Sequence, residues 1–157
     1  MNPVSRLQHF RQRGGDLVTA QFVLLGLVAL SGRRSHSVDV MQKVAGCGLM
    51  VLGGVVVVGS GRTLGRNLSP LPEPLDTAEL VTTGLYAHVR HPIYSGLLAL
   101  GLGWGVLRGS AGALGWTVAL AALFHFKSER EEKALLARFP GYAAYRERTR
   151  RFVPGVI

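Results

Sequence analysis

The 157-residue chain has a single cysteine, Cys47, and half as many acidic residues as basic ones, 9 against 18. One cysteine excludes an internal disulfide and a cysteine-based zinc site, and no metal site of another kind is expected. The sequence also has no repeat of fixed period and no sustained strand-like alternation. What remains is a helical fold built around apolar blocks.

The net charge of +9 would suggest a nucleic-acid partner if the protein were soluble. However, 48% of the residues are hydrophobic, and the basic residues flank apolar blocks. No nucleic-acid-reading module is visible in the sequence. We therefore expect the basic residues to face anionic lipid headgroups, and we expect no nucleic-acid partner.

Three apolar stretches define the predicted architecture. Residues 17–32 and 44–61 carry no charge, and residues 93–126 carry one, Arg108, beside a Gly-Ser turn. We interpret the third stretch as a helical hairpin. The sequence thus predicts an all-α, multi-pass membrane helical bundle of about four transmembrane helices. A C-terminal cytoplasmic helical tail follows, and the last long helix should stop near Pro140.

The distribution of basic residues predicts the orientation. Most of them lie in the N-terminal segment, in the connection 62–92 and in the tail from Lys127. The positive-inside rule then places both termini and this connection in the cytoplasm. In the N-terminal segment, Arg6, Arg11 and Arg13 support this orientation. The basic residues of the opposite connections oppose it, namely Arg33, Arg34, Lys43 and Arg108.

Glycines are frequent inside the apolar blocks. Gly101 and Gly105 have the small-xxx-small spacing that lets membrane helices approach closely. Helix packing is therefore favoured over phosphate binding, which needs a strand before the glycines. The same role is expected for Gly46, Gly48, Gly53, Gly54, Gly103, Gly112 and Gly115.

The first polar segment surrounds the sequence RHPIY. Pro92 suits the first turn of a helix, whose free N–H groups would face the cytoplasm and attract an anion. Arg90 and His91 add donors, while Tyr86 and Tyr94 offer aromatic faces to a base or a sulfonium. The alternative is that these residues only contact headgroups and form an interfacial aromatic belt.

The second polar segment is residues 127–154. Glu129, Glu131 and Glu132 stand where the last helix should leave the membrane, close to the first segment. Their carboxylates suit a cationic ligand. The alternative pairs Glu129 with Lys133 as ordinary helix-surface support and leaves the tail bound to lipid.

Together these segments resemble a known family. GRNLSP at 65–70, LVTTGLYAHVRHPIYSG at 80–96 and EREEKALLARFPGYAAYRERTRRFVP at 129–154 are similar to the isoprenylcysteine carboxyl methyltransferase and phospholipid methyltransferase family. The likeness covers roughly 61–154. It includes an RHPxYxG element at the start of the hairpin and an acidic pair, Glu131 and Glu132, after it.

The resemblance implies an integral-membrane methyltransferase that uses S-adenosyl-L-methionine without a Rossmann domain. We expect one domain, 1–157, with two less specific spans in 1–61 and the cofactor-binding half in 62–157. The implied catalytic residues are Arg90, His91 and Glu132. The implied cofactor contacts are Leu80, Val81, Tyr86, His91, Pro92, Ile93, Tyr94, Glu131 and Glu132, with Glu132 preferred over its neighbour.

On the substrate side, the place of the family's arginine is held by Lys127 or Arg130, with Tyr142 and Tyr145 nearby. The acceptor should be lipophilic and reach the site from the bilayer. Transfer to a carboxylate oxygen is favoured over transfer to nitrogen or sulfur, since a carboxylate needs no general base. A homo-oligomer is compatible with the short spans. The rival hypotheses are an NADPH-dependent membrane reductase and a non-catalytic membrane scaffold.

Overall fold

The computed structural model describes residues 14–33, 37–74 and 77–153. Arg6, Arg11, Arg13 and Arg34, used for the predicted orientation, and Pro154 of the tail motif lie outside these residues. Within them the chain is helical, and the only strand-like pairing is an isolated bridge between Val89 and Arg150. The helices are α1 (Gly15–Ser31), α2 (Val40–Leu64), α3 (Pro92–Leu107), α4 (Ala111–Arg138) and α5 (Tyr142–Arg148), with 3-10 turns at Gly65–Asn67 and Gly84–Ala87.

Helix α2 begins earlier than the charge-free block predicted. Asp39 and Gln42 form a capping box, in which the Asp39 carboxylate accepts a 2.7 Å hydrogen bond from the Gln42 backbone N–H. Among the described residues, one helix, Val40–Asn67, is long and apolar enough to cross a membrane, whereas Gly15–Ser31 and Pro92–Leu107 are apolar but shorter. The number of spans therefore stays a prediction.

The predicted helical hairpin is confirmed. Helix α3 starts at Pro92 and ends before Arg108, and Gly109 turns the chain with a φ of 56° that favours glycine. Ser110 then caps α4 by accepting a hydrogen bond from the Ala113 N–H. Helix α4 continues beyond its apolar part, 111–126, and ends at Arg138, close to the predicted stop at Pro140.

The four long helices pack in an order that brings the polar segments together. Helix α2 lies along α3, α1 lies along α4, and α3 and α4 pack against each other. Tyr94 of α3 and Leu120 and Phe124 of α4 form the buried centre, with Leu24 and Leu25 of α1 against it. The start of α3 consequently faces the charged second half of α4.

Glycines allow the closest helix approaches. A Cβ atom on Gly53 would lie 2.6 Å from the Gly96 carbonyl oxygen, and one on Gly101 would lie 2.7 Å from the Thr117 hydroxyl oxygen. Close packing is therefore confirmed at these positions. It also holds at Gly46, Gly103 and Gly105; Gly112 is in ordinary contact, and Gly48, Gly54 and Gly115 face open space.

Two neighbouring glycines of α2 provide a matched test of this packing. Gly53→Ala should lower the thermal midpoint, because the new methyl group meets backbone atoms of α3 and overpacking costs about 1–3 kcal/mol. Gly54→Ala should leave it unchanged or raise it, since alanine favours a helix and the site is open. Thermal unfolding of the purified protein measures both. Equal effects at the two positions would contradict the helix arrangement.

Candidate active site

The segment that enters α3 is held by the tail. His91 precedes Pro92, and a residue before proline is kept out of the helical conformation, so its backbone is free to pair with another chain segment. The Arg90 N–H donates to the Arg150 carbonyl at 2.8 Å, and the His91 N–H donates to the Arg151 carbonyl at 3.0 Å. This pairing fixes the positions of Arg90 and His91 relative to the tail that follows α5.

Glu132 is the centre of a buried ionic network. Its Oε1 lies 2.9 Å from Arg90 Nε and 3.2 Å from His91 Nε2, and its side chain is only 3% exposed. Arg151 Nε lies 3.5 Å from the same oxygen, and Arg146 Nε lies 3.3 Å from Oε2. The carboxylate therefore joins the start of α3, α4 and the tail.

Arg90 extends the network into the tail. Its Nη1 donates to the carbonyl oxygen of Thr149 and, at 3.1 Å, to that of Arg146. The planar guanidinium thus binds a carboxylate on one edge and carbonyls on the other, a pattern that a lysine cannot reproduce. The Tyr145 hydroxyl also donates to the Tyr86 carbonyl at 2.7 Å, which holds α5 against the same loop.

Glu131 makes a second set of contacts on the α3 side. The Tyr94 hydroxyl donates to Glu131 Oε1, and Glu131 Oε2 lies 3.3 Å from His91 Nδ1. The Tyr94 ring is stacked between His91 and Phe124, with centroid distances of 5.4 and 4.3 Å. Both ring nitrogens of His91 therefore face carboxylates, which favours the imidazolium form.

The network shifts the pKa values of its members. Burial raises the pKa of Glu132, but hydrogen bonds from His91 and Arg90 outweigh that effect and lower it from 4.5 to about 2. Burial disfavours the charged form of His91, yet its hydrogen bonds with Glu131 and Glu132 raise its pKa above 6.5. Burial raises the pKa of Tyr145 to about 12.

These shifts predict a stability maximum in mildly acidic solution. The Glu132 contribution is present above pH 4.5 and is lost as the pH falls toward 2. The His91 contribution is present below pH 6.5 and is lost as the pH rises through the raised pKa of the folded protein. The thermal midpoint should therefore be highest between pH 4.5 and 6.5 and should decrease at lower and at higher pH. In His91→Gln the alkaline decline should be weaker, and an unchanged alkaline decline would contradict the assignment.

A cavity of about 390 Å³ opens beside this network. Its volume lies within the range of roughly 300–1,000 Å³ that is usual for small-molecule sites. Of the predicted site residues, eleven line it: Leu80, Val81, Tyr86, Arg90, His91, Ile93, Tyr94, Lys127, Glu131, Tyr142 and Tyr145. Three predicted site residues, Pro92, Arg130 and Glu132, do not.

The cavity also contains residues that sequence reasoning missed. Gln21 of α1 lines it, as do the connection 67–74 and, from α4 and its end, Leu135 and Phe139. Gln21 did carry a signal, since a polar side chain inside an apolar membrane block often marks a functional position. Glu129 does not pair with Lys133, as the alternative reading had it, but lies 3.3 Å from His125 Nε2.

The fold resembles that of a solved membrane protein. The chain superposes on a structure of the eukaryotic intramembrane Ras methyltransferase, an isoprenylcysteine carboxyl methyltransferase, with a TM-score of 0.63 and 22% sequence identity. The match covers 99% of this chain and 55% of that one, so the chain spans about half the length of its structural relative. The shared fold is that of a helical membrane methyltransferase.

The family follows from the sequence. The chain belongs to the phospholipid methyltransferase family, whose model matches residues 41–141, well over half of the protein. That range includes α2, the hairpin and both glutamates of the network, but it excludes α1 with Gln21. A comparison with curated protein sequences gives no match.

Proposed function

We propose that the protein is an integral-membrane methyltransferase that takes its methyl group from S-adenosyl-L-methionine. The observation that carries this proposal is the cavity itself, which brings Glu131, His91, Tyr86 and Tyr94 together beside the start of α3. In a chain of this family, such a cavity is the natural place for the methyl donor.

The chemistry of the lining fits the methyl donor. Glu131 offers a carboxylate to the cationic sulfonium and ammonium groups, and Tyr86 offers an aromatic ring. The N-terminus of α3 suits the carboxylate of the methionine part. In addition, Tyr142 lines the cavity, and its buried hydroxyl has no hydrogen-bond partner among the described residues, which fits a polar ligand.

S-Adenosyl-L-methionine, when bound, supplies a methyl group already activated by the positive sulfur. The protein's residues then have to hold the acceptor in line with that methyl group and keep water out. His91 has both ring nitrogens against carboxylates, and Arg90 and His91 lower the pKa of Glu132, so neither residue is suited to act as a general base. This supports an acceptor that is nucleophilic without losing a proton, namely a lipophilic carboxylate rather than an amine or a thiol.

The membrane arrangement is part of the proposal. Four spans, with both termini and the active site in the cytoplasm, would put the cavity near the headgroup level, where an acceptor can enter sideways from the bilayer. The apolar helix faces exposed to lipid include Val51, Leu52 and Val55 of α2. A homo-oligomer within the membrane is compatible with these exposed faces.

Ligand binding separates this proposal from its rivals. We expect the purified protein to bind labelled S-adenosyl-L-methionine and not NADPH, whereas a membrane reductase would do the reverse and a scaffold would bind neither. Glu131→Gln should weaken the binding about tenfold or more, because it removes the carboxylate that lies beside His91 and Tyr94 and leaves those of Glu73 and Glu79 in place. Binding of NADPH alone, or binding unaffected by Glu131→Gln, would overturn the proposal.

A further inference from the structure

The tail places an aromatic side chain against the buried network from outside the cavity. Phe152, which follows α5, is partly buried and packs against the cluster formed by Tyr94, Leu120 and Phe124. The centroid of its ring lies 5.9 Å from that of His91. Phe152 does not line the cavity, so any effect that it has on a ligand there must pass through another residue.

The position of Phe152 is fixed by the start of α3. The Ser95 hydroxyl lies 2.5 Å from the Phe152 carbonyl oxygen and 3.2 Å from that of His91, and its single proton is donated across the shorter distance. The His91 N–H donates to the carbonyl of Arg151 at 3.0 Å. Two successive carbonyls of the tail are therefore bound, and Phe152 cannot slide along α3 without breaking these hydrogen bonds.

The ring of His91 touches two aromatic rings. Tyr94 stacks on it with an angle of 3° between the planes, whereas Phe152 meets it at 45°. The His91 side chain is only 6% exposed, although both of its nitrogens face carboxylates. Phe152 thus helps to keep water away from these hydrogen bonds, which are stronger in a dry environment.

His91 connects Phe152 to the cavity. Its Nδ1 lies 3.3 Å from Glu131 Oε2, and the Tyr94 hydroxyl donates to the other oxygen of the same carboxylate. Glu131 lines the cavity, and Phe152 packs against both residues that hold it. A small displacement of His91 would turn this carboxylate, and small errors of position at a reacting site cost much activity.

We propose that Phe152 is a positioning residue of the methyl-donor site: it holds His91 so that Glu131 keeps its direction toward the donor, and Ser95 fixes Phe152 in that place. The part of this statement that concerns the donor rests on the proposed function. The effect of Phe152 on the surroundings of His91 does not, and it can be measured without a ligand.

A double-mutant cycle tests whether Phe152 acts through Glu131. Phe152→Ala should weaken the binding of labelled S-adenosyl-L-methionine about fivefold, whereas in a Glu131→Gln protein the same change should weaken it by less than about twofold. The second effect is small because the carboxylate through which Phe152 acts is already gone. A fivefold loss in both proteins would overturn the inference, since Phe152 would then act by another route.

A second variant and a matched control accompany this cycle. Ser95→Ala keeps the phenyl ring but removes its anchor, so it should weaken binding about threefold, and it gives the same cycle even where Phe152→Ala fails to fold. Phe126 also contacts a histidine, His125, at a centroid distance of 5.8 Å, but it is 64% exposed and neither residue lines the cavity. Phe126→Ala should leave donor affinity within about twofold of wild type, and a loss as large as that of Phe152→Ala would contradict the proposed role.

Nuclear magnetic resonance of protein with nitrogen-labelled histidine tests the first step without a ligand. In mildly acidic solution we expect slowly exchanging ring N–H signals for His91, assigned by their loss in His91→Gln, because its ring is buried and hydrogen-bonded. Phe152→Ala should broaden these signals through exchange with water, and Phe126→Ala should not. Unchanged His91 signals in Phe152→Ala, or their absence from the wild-type protein, would overturn the inference. If the signals respond as expected but the wild-type protein binds no S-adenosyl-L-methionine, the proposed function fails and the positioning of His91 by Phe152 stands.

Discussion

Replacing Glu132 with glutamine should lower the thermal midpoint of the protein by about 10 °C, because removing the central anion of a buried network costs about 3 kcal/mol. Arg90 and His91 lie 2.9 and 3.2 Å from Glu132 Oε1 and would lose their shared counter-charge. Thermal unfolding in detergent measures the effect. Binding and turnover should fall as well, since His91 would no longer be held in place.

The neighbouring glutamate is the matched control. Glu131 lines the cavity and is more exposed than Glu132, 17% against 3% for the side chains. Glu131→Gln should therefore shift the midpoint little, but it should weaken S-adenosyl-L-methionine binding by about tenfold or more, as expected when a charged hydrogen-bond partner is lost. The reverse pattern, a stable Glu132→Gln protein and a destabilised Glu131→Gln protein, would contradict the division of roles.

Replacing Arg90 with lysine should have the second large effect. The substitution keeps the charge but loses the planar fork that joins Glu132 to the Thr149 and Arg146 carbonyls. We expect the tail to dissociate more often from the segment before α3, where Arg90 and His91 pair with it. Methyl transfer should fall about a hundredfold, because the geometry of the site is lost. Trypsin should then cut more rapidly at Arg148, Arg150 and Arg151.

A second arginine provides the control for this prediction. Arg108 donates a 2.8 Å hydrogen bond to the Gly32 carbonyl at the opposite end of the bundle. Arg108→Lys makes the same chemical change away from the site, and it should leave both tail proteolysis and methyl transfer near the wild-type level. Equal sensitivity of the two variants would show that Arg90 acts only through general stability.

The sequence predicted those features that depend on local chemistry. Charge placement and a Gly-Ser turn located the hairpin at Arg108, and proline at position 92 located the start of α3. The likeness of two polar segments to one family also predicted which loop and which helix would meet. The structure places Arg90, His91 and the acidic pair in one network, as expected from that likeness.

Other features depend on helix rotation and on distant contacts. Successive residues of a helix point about 100° apart, so choosing between Glu131 and Glu132 required the orientation of α4, which the motif does not contain. Glu132 was preferred for the cofactor, but Glu131 is the one that lines the cavity. Gln21 meets Lys127 across 106 positions of sequence, a contact that no local pattern encodes.

The extent of α2 and the role of the connection show a similar limit. The charge-free block understated α2, because a capping box at Asp39 extends the helix through Lys43. Pro70, Pro72 and Pro74 of the connection 62–92 also line the cavity, although none of them was predicted as a site residue. Proline-rich segments are extended and have few donors, so their packing against a ligand site is decided by the rest of the fold.

Labelled methyl transfer is the most direct test of the account. The protein in lipid vesicles would be incubated with S-adenosyl-L-methionine labelled in the methyl group and with a total lipid extract, and the organic phase would then be treated with base. We predict label in the organic phase that base releases as volatile methanol, as from a methyl ester, and that is lost in Glu131→Gln. If the wild-type protein puts no more label into the organic phase than the Glu131→Gln variant does, the central claim of a membrane methyltransferase is contradicted.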